Sequence, residues 1–305
     1  MRGLVINMSE NKYMIFLGCL IPYRVSSYEI SARRVLHNLG VELVEMPEFN
    51  CCGLPLEPIS HELALILSAR NIAIAEREGL NILTLCPGCS GTLKKANRTL
   101  KENRALREEI NKHLKEAGLN FEGSIEVKHV SQVLLEDVGL DKIKKSVVRP
   151  LKGLIVAEHS GCHLSRPKKY IEFEDPENPK ALRMLIEATG AKCVEYMDET
   201  ECCGATVAGI DDKIPLYLVR EKLSHIKEAG AEALVTICPS CHLMYDANQI
   251  RVERKFGEKY GIPVLHYTQL LGLAMGFSPK ELGFEELRVK PTKVIDYVLG
   301  IPATS

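Results

Sequence analysis

Glu201-Cys202-Cys203-Gly204 contains a triplet that the chain has already used once, as Cys51-Cys52-Gly53. Each copy has the same surroundings. One cysteine precedes it, Cys19 in the first case and Cys162 in the second. A Cys-x-x-Cys follows it, Cys86/Cys89 and then Cys238/Cys241. Ten of the eleven cysteines thus fall into two sets of five in one order, and Cys193 alone stands apart. Self-similarity of this kind decides the fold, because each copy has to be one structural unit.

Working outward from the cysteines, the repeat extends to the segments between them. The apolar run 13–19 ends on a cysteine, and 154–157, leading to Gly161-Cys162, is its counterpart. A helical pattern then closes on glycine in each half: 32–39 before Gly40, and 181–189 before Gly190. Glycine after the last periodic residue is a good helix stop. Short strands at 41–45 and 192–196 lead to the paired cysteines. Longer helices follow at 61–78 and 214–229, then apolar runs at 82–87 and 234–239. Fourth strands are predicted at 127–132 and 264–269. Strand–helix alternation with near-continuous apolar strands predicts a parallel α/β fold with four strands per half.

The expected fold class is therefore α/β, as two pseudo-symmetric parallel-sheet domains, 1–150 and 151–305. Arg149-Pro150 breaks the pattern at the join, within 148–153. The first half carries about fifteen more residues between its last cysteine and its fourth strand. That segment, 94–123, is charged and helix-prone at 101–116, which predicts a solvated or partner-facing excursion. After Met275 the pattern predicts irregular structure and one last helix.

Composition is that of an ordinary globular chain, 46% hydrophobic and 26% charged. A net charge of -1 gives no pull toward nucleic acid or an acidic membrane, and no basic stripe is present. Residues 1–12 are polar and hold no apolar signal region. No apolar run approaches the roughly 20 residues of a membrane span. The expected location is cytoplasmic, where thiols stay reduced. Eleven cysteines there point to metal or redox chemistry rather than a disulfide scaffold.

The cysteines stand where apolar runs end, and ligands of open parallel sheets bind beyond the carboxyl ends of the strands. All five of one half can thus converge on one point. Gly53 and Gly204 allow a tight turn beside it, and Pro87 and Pro239 take the chain out of the strand. Structural zinc takes four ligands, and so does a cubane iron–sulfur cluster. Five thiolates suggest an iron–sulfur assembly of unusual shape or with a bridging thiolate. Zinc with one spare buried cysteine is the competing reading.

These residues are also familiar as a set. Cys19…Cys51-Cys52-Gly53…Cys86-x-x-Cys89 and Cys162…Cys202-Cys203-Gly204…Cys238-x-x-Cys241 resemble two CCG domains. Over nearly its whole length the chain is similar to the family of catalytic B subunits of heterodisulfide reductase from methanogenic archaea. The resemblance implies a noncubane 4Fe-4S cluster in each half. Cys19, Cys51, Cys52, Cys86 and Cys89 would hold one. Cys162, Cys202, Cys203, Cys238 and Cys241 would hold the other. It also implies reduction of the coenzyme M–coenzyme B heterodisulfide to two thiols, with the disulfide between the clusters and each sulfur captured by an iron. The chain has no ferredoxin-type cysteine run, so electrons come from another polypeptide. In the family this is the small ferredoxin-like C subunit, linked to the flavin-bearing A subunit. With a hydrogenase or formate dehydrogenase, that assembly performs electron bifurcation.

Such a substrate is anionic and calls for basic groups. Arg24, Arg166 and Lys213 are candidate substrate-binding residues, though each also reads as a solvated side chain. His163, next to Cys162, is a candidate proton donor, with an ordinary pKa of about 6.5. His129 and His266 are expected to anchor the fourth strands or cap the helices after them, and Cys193 to be core. Two other functions compete. One is an electron-transfer protein of a quinone-linked or membrane-associated dehydrogenase, which would favour a fused ferredoxin segment or an amphipathic membrane helix. The other is a zinc-stabilised scaffold, which iron and zinc analysis would separate from both enzymes.

Overall fold

A computed structural model describes residues 11–211 and 213–300. The polar stretch 1–10 lies outside the described residues. Strands β1 (Lys12–Phe16), β2 (Glu42–Val44), β3 (Asn81–Thr84) and β4 (Val127–His129) form one parallel sheet in the order β2-β1-β3-β4. Strands β5 (Ile155–His159), β6 (Lys192–Cys193), β7 (Ala233–Thr236) and β8 (Val264–His266) form a second, in the order β6-β5-β7-β8. The register repeats too: Phe16 closes β1 opposite Thr84, and His159 closes β5 opposite Thr236.

The fourth strands stop three residues earlier than the sequence pattern predicts, and side chains are the cause. The His129 ring accepts from the Ser131 backbone N–H at 3.2 Å, and a helix begins at Val130. At His266 the cap comes from Gln269, whose side-chain oxygen accepts from the His266 N–H at 3.0 Å, and the helix begins at Tyr267. Satisfying the first free N–H groups of a helix ends the strand before it. Strand β6 is two residues long instead of five, although the Val194 N–H still reaches the Val156 carbonyl at 2.9 Å.

Pro87 and Pro239 do more than end strands. Each opens a long helix, Pro87–Glu102 and Pro239–Phe256. Proline is preorganised for that position. The second thiol of each Cys-x-x-Cys is thereby fixed in a first helical turn. The excursion of the first half forms a further helix, Arg104–Glu116, capped by the Asn103 side chain. Its Ile110 and Leu114 are buried while most of its other residues are exposed or half-buried. The solvated reading thus holds for one face only. The tail after Met275 makes two single turns and the helix Thr292–Leu299.

The halves share a central core. Tyr28, Leu36, Val133 and Leu134 pack in one apolar cluster with Leu185, Leu270 and Leu271. The helix Ser26–Asn38 of the first half lies against the helix Tyr267–Ala274 of the second. Ser31 and Thr268 hydrogen-bond across that seam at 2.7 Å. Each sheet covers its outer face separately, with Ile72, Leu93 and Val127 in one case and Val219, Leu223 and Val252 in the other. Cys193 is buried in the central core, as expected.

Candidate metal centres and the cleft between them

The ten repeat cysteines form two contiguous groups of thiols. In the first, hydrogen bonds run Cys19–Cys51–Cys52–Cys89–Cys86. In the second they run Cys162–Cys202–Cys203–Cys241–Cys238. The order is the same, so the sequence repeat extends to the individual sulfur. The two glycines have equivalent roles as well. The Gly53 N–H points at Cys51 Sγ (3.5 Å), and the Gly204 N–H at Cys202 Sγ (3.3 Å). Gly53 has φ +95°, and a Cβ there would lie 2.6 Å from the Ala64 carbonyl oxygen. No other residue fits that turn.

Each group has a buried floor. Cys52 and Cys89 are buried in the first, and Cys203, Cys238 and Cys241 in the second. All eleven cysteines are free thiols. Crowding decides their proton affinities. A hydrogen bond from Cys89 lowers Cys52 to about 7, while the bond to Cys202 lifts Cys203 to about 12. Cys162, Cys89 and Cys241 are pushed upward for the same kind of reason, each donating to a neighbouring sulfur. Five adjacent thiols cannot all ionise unless a cation compensates them. This is the donor chemistry an iron–sulfur cluster requires, because its ligands bind as thiolates.

A cleft of about 140 Å³ lies where the groups meet. Cys86 and Gly88 line it from the first half; Cys162, Cys202, Cys238 and Cys241 line it from the second. The halves approach closely here. A Cβ at Gly91 would sit 3.2 Å from the His163 carbonyl, and one at Gly161 would sit 3.7 Å from Pro87 Cγ. Tyr28 supports the cleft from the central core. Its hydroxyl donates to the Ile237 carbonyl at 3.0 Å, and its ring stacks on His266 at 3.9 Å. Burial, then Cys238 and Cys86, oppose its ionisation. The phenol therefore stands between the two groups.

The other candidates are distributed unevenly. His163 lines the cleft, and its Nδ1 is 3.4 Å from Cys162 Sγ. Arg166 borders a small adjoining pocket and donates to the Pro176 carbonyl at 3.0 Å. Arg24 and Lys213 are exposed and line neither space. Sequence reasoning passed over His159 and Lys222. The His159 ring, with Cys203 and Cys241, offers three donor atoms within 4.8 Å of one another. The available signal was the repeat itself, since the first half has Phe16 and Asn71 at these positions.

The cysteine-rich domain family, CCG, matches residues 13–94 and 156–246. The B subunit of the ferredoxin:CoB-CoM heterodisulfide reductase of Methanosarcina mazei is 41% identical, over 96% of this chain and 99% of its own. The B subunit of the ferredoxin/F420H2-dependent CoB-CoM heterodisulfide reductase of Methanosarcina acetivorans is 40% identical, over 96% of this chain and 98% of its own. The 8-methylmenaquinol:fumarate reductase membrane anchor subunit of Wolinella succinogenes is 30% identical, over 93% and 99%. A hypothetical protein of Helicobacter pylori, known from its crystal structure, shares the fold with a TM-score of 0.73 at 17% identity. That match covers 92% of this chain and 52% of that one. Among the described residues no helix is long and apolar enough to cross a membrane. Two matched cysteine-rich repeats and identity over nearly the full length lead to one conclusion: the chain belongs to the heterodisulfide reductase B-subunit family of CCG-domain proteins.

Proposed function

We propose that the chain is the catalytic component of an oxidoreductase that reduces the coenzyme M–coenzyme B heterodisulfide in the cleft between two iron–sulfur centres. The observation that carries this reading is the shared cleft, which thiols of both halves line. One linear disulfide laid there meets a cysteine group at each end. Cys19, Cys51, Cys52, Cys86 and Cys89 hold one noncubane 4Fe-4S centre. Cys162, Cys202, Cys203, Cys238 and Cys241 hold the other. The centres supply electrons singly and leave no need for a redox-active protein disulfide. The overall step takes two electrons and two protons, breaks one S–S bond and releases two thiols.

This chain's own residues bind and protonate. His163, at the wall of the cleft, delivers a proton to a departing sulfur. Arg166, beside Cys162, steers an anionic tail, and Arg24 and Lys213 act from outside the cleft. The CCG domains divide at 150/151. Electrons arrive through a ferredoxin-like C subunit and a flavin-bearing A subunit, in a cytoplasmic assembly with a hydrogenase or formate dehydrogenase. The likeness to the Wolinella anchor protein favours one second reading, an electron relay to a quinone-linked reductase.

The test is anaerobic purification, iron and sulfide counts, and an assay of heterodisulfide reduction by a reduced dye. About eight irons with turnover support the proposal. Eight irons without turnover favour the relay, and zinc without iron overturns both.

A further inference from the structure

The sulfurs repeat from half to half, but the layer behind them does not. In the first half Phe16 and Leu93 share an apolar cluster with Cys52 and Cys89. Their counterparts in the second half are His159 and Tyr245. His159 holds the same register as Phe16, opposite a threonine. Tyr245 and Leu93 each lie four residues past the last cysteine of their set. Asn71 and Lys222 are equivalent as well, each 18 residues past the glycine of its triplet. His159 is 2% exposed, Lys222 1% and Tyr245 0%. Under one centre only, the layer carries an imidazole, an ammonium and a phenol where the other has Phe16, Asn71 and Leu93.

The hydrogen bonds of that floor leave two groups over, the Tyr245 hydroxyl and one nitrogen of His159. The ammonium of Lys222 has three donors. It faces the Asp198 carbonyl, the Glu199 carbonyl at 3.2 Å and His159 Nδ1 at 3.5 Å. The match of three donors to three acceptors assigns the lone pair of the imidazole to Nδ1 and its hydrogen to Nε2. His159 Nε2 is buried and has no partner. The Glu199 carbonyl also adjoins the ring, but it makes no hydrogen bond to Nε2, which is left without a partner. A ring nitrogen lies within 4.8 Å of both Cys203 and Cys241 sulfurs. A buried N–H with no acceptor costs about 1–3 kcal/mol, so an acceptor belongs there.

We propose that His159 donates an Nε2–H hydrogen bond to a sulfur of the second iron–sulfur centre, with Lys222 as the positioning residue that fixes its tautomer. The first centre has no equivalent donor. Hydrogen bonds to cluster and thiolate sulfur stabilise the reduced, more negative state. The second centre is therefore the more easily reduced of the two, and the cleft has an electrically directed sense. This inference rests on the proposed iron–sulfur reading.

The experiment uses the full chain, purified anaerobically, with 15N-labelled histidine. Iron and sulfide are counted first; a wild-type protein without iron sinks the functional reading and this one with it. With both centres filled, electron–nuclear double resonance in H2O and D2O is expected to show an exchangeable, histidine-linked proton at one centre only. H159F installs the residue the first half already carries. It should abolish that coupling and lower the midpoint potential of that centre alone. K222N, again the first half's own residue, should shift the same midpoint downward with His159 still present. A coupling that survives H159F belongs to His163 and overturns the inference. Equal shifts at both centres, or a shift at neither, overturn it as well. If H159F does not fold, H163Q decides on the same resonance: a coupling that persists at the second centre alone supports the inference, and one lost with His163, or seen at both centres or at neither, overturns it.

Discussion

Glu158 shows how far a single side chain can depart from its repeat partner. It occupies β5 where Ile15 occupies β1, and it is 3% exposed. Arg183 Nε lies 3.4 Å from its carboxylate. Burial, and then the carboxyl of Glu199, outweigh the guanidinium and push the Glu158 carboxyl well above the usual range. A group whose folded pKa is raised stabilises the fold below its unfolded pKa and loses that contribution as pH rises. Glu158→Gln keeps the shape and removes the proton to be lost. Each unit by which the pKa is raised corresponds to about 1.4 kcal/mol. The variant should therefore be more stable than wild type at pH 7.5 by about 1 kcal/mol or more, and equal to it below about pH 4.5. Urea denaturation at the two pH values measures this; equal midpoints at both would show that Arg183 keeps the carboxylate ionised. A glutamate near the end of a strand reads as an exposed edge, and the one signal against that in the sequence is the repeat: Glu158 and Ile15 each lie four residues before the first cysteine of their set.

Elements were more legible than residues, because each is marked by several signals at once. Glycine stops and apolar runs placed all eight strands and the helices His61–Arg77 and Lys213–Glu228, but not the long helices that Pro87 and Pro239 open. The other errors lie at ends, where one hydrogen bond decides. His129 and His266 turn the last residues of the predicted fourth strands into helix, which no periodicity reveals. The helix Ser26–Asn38 begins before its predicted start at residue 32 and carries Tyr28. That extra turn places a phenol from one half against a carbonyl and an imidazole of the other. Tyr28→Phe keeps the stacked ring on His266 but strands the buried Ile237 carbonyl. The expected cost is about 1–3 kcal/mol, seen as a lower thermal midpoint. Iron content should not change, because the hydroxyl supports the seam and holds no metal. Loss of iron in this variant would instead make Tyr28 part of the centre.

At the scale of the whole molecule, two identical motifs could have produced two independent beads. The sequence predicts two domains of equal kind, and nothing in it says that their helices cross to a common core. That pairing depends on which faces meet, and the sulfur cleft follows from it. Protonation probes the seam. Burial lowers His129 to about 3 and His266 well below the ordinary range. A depressed histidine costs nothing at high pH, and destabilises as pH falls below its unfolded value of 6.5. His266→Asn puts a capping side chain at the helix start and removes one such group. Between about pH 6 and 4 its stability should fall less steeply than wild type, by about 1.4 kcal/mol per pH unit. Denaturation curves at half-unit intervals check the slope.

Filling of the centres, in contrast, is local, because each group of thiols comes from one half. Cys52→Ser and Cys203→Ser should each lose about half of the iron and leave the other centre spectroscopically intact. Both variants should still unfold in one calorimetric transition, since the shared core makes the halves one cooperative unit. Two transitions, or complete loss of iron from either single variant, would mean that core and centres are coupled in the opposite way.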